Sequence, residues 1–161
     1  MAAALADLHT AAELQMGLGS HPVFNYALGV VLANQREWMR AREAFTAAIR
    51  AAEAEGRRGS ILILAFHERA KTRQLLGDAR GALEDFNEVI RAQPDNRHAL
   101  IRRAFALKVL GQFETSSRDW QRAKSLDGAN DANRATLDEA WMRFEIPFVE
   151  LCLPGEEDSA V

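Results

Sequence analysis

The chain has 161 residues, room for one domain or a short repeat array but not for two large domains. Its 48% hydrophobic and 27% charged content excludes a disordered polar tail as the whole molecule. Its 29 alanines against only 18 Val, Ile and Thr together favour helix and exclude an all-β fold, because β-branched side chains lose rotamers in a helix and alanine has none to lose. Twenty Lys and Arg against 23 Asp and Glu leave a net charge of −3, so there is no global polycation for phosphates and no nucleic-acid partner is expected.

The opening segment has no basic start and carries Asp7 and Glu13, unlike a secretory or transit peptide. Residues 2–16 read as an Ala-rich helix with Leu5, Leu8, Ala12 and Met16 on one face. His21-Pro22 then starts a new element, with proline suited to a first helical turn. No apolar run approaches the ~20 residues that span a bilayer, so membrane insertion is not expected. A cytoplasmic protein is the expectation.

From residue 22 the chain repeats itself. The stretches GVVLANQREWMRAREAFTAAI, AKTRQLLGDARGALEDFNEVI and AFALKVLGQFETSSRDWQRAK align column by column. Small residues open them (Gly29, Ala70, Ala104), and a second small column follows (Ala41, Ala82, Ser116). An aromatic comes next (Phe45, Phe86, Trp120), then a further column of Ala48, Val89 and Ala123. The offsets are 41 and then 34 in all four columns. The last three columns stand at i, i+4 and i+7, one stripe of a helix, and the small residues let two antiparallel helices approach closely. Gly77-Asp78 and Gly111-Gln112 supply turns within units, and Gln93-Pro94-Asp95-Asn96 separates two units, with Asp95 or Asn96 able to cap the next helix.

These columns resemble the tetratricopeptide repeat, a 34-residue helix–turn–helix unit. The units divide as 22–55, 63–96 and 97–130, and Arg69 and Arg103 before the small residue are a frequent variant in such units. The fold expected is an all-α superhelical array of antiparallel helix pairs. The extra seven residues, GRRGSIL at 56–62, read as a lengthened second helix ending near Glu55, a loop, and Ser60 as N-cap of the next helix. Residues 1–21 and 131–153 are the expected capping segments, the latter through Ala135, Leu137, Ala140, Trp141, Phe144, Phe148 and Leu151. Residues 154–161 read as an acidic tail.

Chemistry-bearing patterns are few. There is no phosphate loop, no nucleophile elbow and no histidine pair at metal spacing, so neither catalysis nor a cofactor or metal is expected. His9, His21, His67 and His98 are scattered, and Cys152, among Leu151, Leu153 and Pro154, reads as an inert thiol. Glu84, Asp85 and Glu88 read as a solvated helix face.

The resemblance implies a non-catalytic adaptor or scaffold whose first helices line a concave groove for a partner protein or peptide. The groove set is Val23, Tyr26, Val30 and Asn34 from the first unit; Leu64, His67, Glu68, Lys71 and Gln74 from the second; and His98, Ile101, Arg102, Phe105 and Lys108 from the third. Three cations against Glu68 suit an acidic segment or a terminal carboxylate. Relatives that grip the C-terminal peptide of heat-shock chaperones use a clamp of Lys, Asn and Arg. Its positions here hold Tyr26, Val30, Glu68, His98 and Arg102, of which only Arg102 agrees, which argues against that partner. Two other readings of the same array are a secretion-type chaperone and a structural subunit docking through its capping helices.

Two short motifs complete the reading. Arg57-Arg58-Gly59-Ser60-Ile61 resembles a basophilic kinase site with Ser60 as the acceptor, and Ser159-Ala160-Val161 resembles a PDZ-domain ligand.

Overall fold

The computed structural model describes residues 21–56 and 59–126. These residues form six α-helices: α1 (Pro22–Asn34), α2 (Trp38–Ala54), α3 (Ser60–Leu75), α4 (Ala79–Ala92), α5 (Arg97–Val109) and α6 (Phe113–Ser125). The expected capping segments, the acidic tail, Cys152, the PDZ-type terminus, and Arg57 and Arg58 lie outside the described residues.

The caps explain where several helices begin. Pro22 opens α1, where its missing N–H removes no helical bond. The Asp78 carboxylate accepts from the Gly81 N–H at 2.9 Å, and the Asn96 amide oxygen accepts from the Ala99 N–H at 3.0 Å. At the lengthened joint, Gly59 is the N-cap and Ser60 the first helical residue, so the helix starts one position earlier than expected with Ser60 as the cap. Gly59 has no side chain to offer as a cap, and α3 starts without one.

The turns inside the three units share one geometry. The N–H groups of Glu37, Asp78 and Gln112 reach back to the carbonyls of Leu32, Arg73 and Leu107 at 2.8–2.9 Å, a Schellman closure of each first helix. The residue before each donor is left-handed, at φ 61° for Arg36, 79° for Gly77 and 76° for Gly111. Two units meet that requirement with glycine, and the first meets it with arginine.

Packing follows chain order, with each helix lying against the next throughout the series. The first helices of successive units also touch one another, α1 on α3 and α3 on α5, and so form an inner row. The repeat columns are the core: Ala41, Phe45, Ala82, Phe86 and Ser116 are fully buried, and Trp120 nearly so. Leu32, Ala41, Ala44 and Phe45 form a cluster in the first pair, and Ala48, Ile49 and Ala65 form one at the first joint. A larger cluster runs through the second and third pairs from Ala70 and Phe86 to Leu100, Trp120 and Ala123. At Gly29 the Phe45 ring lies so close that a methyl group would fall 2.5 Å from Cε1, so the first pair closes only with glycine there. Ser116, in a column of small apolar residues, donates its hydroxyl to the Ala104 carbonyl at 2.6 Å and ties α6 to α5.

Candidate functional site

The inner row presents the residues expected of a groove, in three different conditions. Val23, Leu64 and His98 hold equivalent places in α1, α3 and α5, and all three are exposed. Val23 and Leu64 are apolar yet nearly half open to solvent, at 48% and 45%. Asn34 is exposed at the end of α1, and Tyr26, Val30, His67, Lys71, Arg102, Phe105 and Lys108 are half-buried. Ile101 and Gln74 are buried. The Gln74 amide donates to the Arg102 carbonyl at 2.8 Å, so it stitches α3 to α5 at the joint instead of facing open groove. Tyr26 tilts against Phe45 at 5.9 Å, and Phe105 meets Trp120 edge-on at 5.9 Å, so each is partly a packing residue.

Charge in the groove is unevenly distributed. In the middle unit Glu68 stands 3.3 Å from the Lys71 ammonium and 3.5 Å from His67 Nδ1. Burial would raise the Glu68 carboxyl, but the hydrogen bonds and charges of His67 and Lys71 outweigh it and hold Glu68 below its ordinary value. Burial, and then the Glu68 charge, push the Tyr26 phenol up. The third unit contributes Arg102 and Lys108 to the row; burial lowers the Lys108 ammonium below its ordinary value.

On the other side of the inner helices lies a motif that the sequence reading did not see. Arg69 grips Asp85 through two bonds, at 2.8 and 2.7 Å, and its remaining Nη1 donates to the Thr46 hydroxyl at 3.2 Å. Arg103 repeats this on Asp119 at 2.6 and 2.7 Å, with Nη1 donating to the Asn87 amide oxygen at 2.9 Å. Each arginine thus joins the second helix of its own unit to that of the preceding unit. Thr46 and Asn87 are equivalent positions, 41 residues apart. Asp85, read from sequence as part of a solvated face with Glu84 and Glu88, is 2% exposed and also meets Arg73 at 3.0 Å. The signal that could have found it is the shared offset of 16 between Arg69 and Asp85 and between Arg103 and Asp119. The first unit has Leu28 and Ala44 in those places, an apolar version of the same contact.

Ser60 is exposed at the start of α3. Among the described residues no group of three or more His, Cys, Asp or Glu stands close enough to hold a metal ion. No helix among them is long and apolar enough to cross a membrane.

No family model matches the chain. Tetratricopeptide repeat protein 36 of Xenopus tropicalis is 36% identical over 66 residues, which cover 38% of this chain and 33% of that relative. The match therefore spans about a third of the relative's length. Together with the paired helices it agrees with a helical array of the tetratricopeptide kind.

Proposed function

We propose that this chain, a tetratricopeptide-type array of three helix pairs, acts by holding an extended, acidic segment of a partner protein along its inner row of helices. The observation that carries this reading is the column Val23, Leu64 and His98. It places two half-exposed apolar side chains and then an imidazole at equivalent points of successive first helices. Such a column offers apolar contact to a chain laid across successive first helices. Arg102 and Lys108 lie at the third-unit end, so an occupant laid along the row sets apolar side chains toward α1 and α3 and carboxylates toward α5. Because the helices are already packed, the array loses little conformational freedom on binding, and only the segment is ordered.

The test is capture of partners from the source cell's extract by tagged wild type and by an Arg102→Glu, Lys108→Glu double variant, with helicity checked by circular dichroism. Lys71 is left intact, because Lys71→Glu would set a second carboxylate beside the half-buried Glu68 and confound folding with binding. A dominant partner lost by a folded double variant supports the reading. The same partner retained by both proteins overturns it.

A further inference from the structure

A second surface, independent of the inner row, lies between the C-terminal ends of α2 and α4. It is a groove of roughly 760 Å³ whose floor is Leu62, Ile63 and Phe66 of α3 and whose rims carry Glu53, Glu84 and Glu88. On α3 the centre of this floor lies about 130° around the helix from that of Leu64, His67 and Lys71, at 100° per residue, with Ile63 the floor residue nearest the inner row. The inner sides of Leu62, Ile63 and Phe66 pack on the buried clusters, and their outer sides are half-open. The groove owes part of its wall to the seven-residue insertion, which contributes both Gly56 and Leu62.

Its electrostatics select the occupant. Asp85 is neutralised by Arg69 and Arg73, and Glu88 by Arg91 at 2.6 Å. Glu53 and Glu84 make no ion pair with another described residue, so the described residues of the rims are net negative; Arg57 and Arg58, which follow Gly56, lie outside them. Two helix C-termini, the ends of α2 and α4, converge at the mouth against the single N-terminus of α3, and a helix C-terminus favours a cation. The floor already receives one guanidinium, since Arg69 lies 5.5 Å from the Phe66 ring centroid. We propose that this groove docks a basic segment of a partner protein, which seats an apolar side chain on Leu62, Ile63 and Phe66 and sets Lys or Arg against Glu53 and Glu84.

Titration of the full chain with a dye-labelled blocked peptide, Leu-Arg-Arg-Leu-Ala-Arg, tests it by fluorescence anisotropy, with methyl NMR on Ile63. Saturable binding is expected, with the Ile63 methyl shifting in step. The Glu53→Lys, Glu84→Lys double variant is expected to weaken it at least tenfold, and serine in place of both peptide leucines at least fivefold. The Arg102→Glu, Lys108→Glu variant binds it as wild type does, so a failure of the inner-row reading leaves this test standing. Absence of saturation by about 1 mM, undiminished binding to the Glu53→Lys, Glu84→Lys variant, equal binding of the serine or an all-Glu peptide, or an unmoved Ile63 methyl overturns the proposal.

Discussion

Arg36 holds a left-handed φ of 61° at the place in its unit where Gly77 holds 79° in the next. Both residues close a first helix by the same Schellman pattern, yet only glycine occupies that region without its Cβ crowding the carbonyl. The first unit therefore folds against a local preference that the other two avoid. Replacing Arg36 with glycine is expected to stabilise the array by about 1 kcal/mol. Urea unfolding of Arg36→Gly against wild type checks this, and an unchanged midpoint would show that other contacts of the arginine offset the strain.

Gly29 and Phe45 interlock by shape. A methyl group on Gly29 falls among the Cε1, Cδ1 and Cζ atoms of a ring that is itself fully buried. Gly29→Ala is expected to destabilise by about 2 kcal/mol, the usual cost of overpacking a tight core. Pairing it with Phe45→Leu, which removes the ring edge, is expected to cost less than the sum of the two single changes. A double-mutant cycle by thermal unfolding measures that coupling.

The arginine clamps respond to halving and to complete replacement in opposite ways. Asp119→Ala leaves Arg103, whose side chain is 19% exposed, without its main partner, and is expected to cost about 2 kcal/mol, less than for a fully buried pair because water reaches the guanidinium. Arg103→Leu with Asp119→Ala reproduces the Leu28 and Ala44 arrangement of the first unit, and is expected to recover most of that loss. Unfolding of the three proteins in guanidinium-free urea decides it; a double variant weaker than the single would show that the bond from Arg103 to Asn87 carries the joint.

Glu68 makes stability depend on acid. Its folded pKa lies below the ordinary 4.5, so its ionised form contributes stability that is present above that value and is lost as pH falls through the folded one. The difference in urea midpoint between wild type and Glu68→Gln is therefore expected to be larger at pH 7 than at pH 3.5. A difference independent of pH would mean that Glu68 acts through packing alone.

The repeat was legible because its columns are steric. Phe45, Phe86 and Trp120 recur at fixed distances from small residues, and a helix pair can close in few other ways. Charge was harder to read than shape. Asp85 sits between two glutamates on a helix that looks solvated by composition, but its partners Arg69 and Arg73 on α3 hold it in a buried place. Gln74 shows the same limit at the candidate site. Its helical register points toward the inner row, but the approach of α5 brings the Arg102 carbonyl within reach and the amide N–H is consumed there. The left-handed turn at Arg36 left no trace in the sequence, because the glycine that signals it in the other units is missing.

The Thr46 hydroxyl and the Asn87 amide oxygen differ chemically, yet each satisfies the spare donor of an arginine from the following unit. If the middle pair were excised, Arg103 would arrive beside Thr46 and find an acceptor that already serves Arg69. The same clamp closes seams whose units are offset by 41 and by 34 residues, so it tolerates a change in the length of the joint without losing the arginine's acceptor.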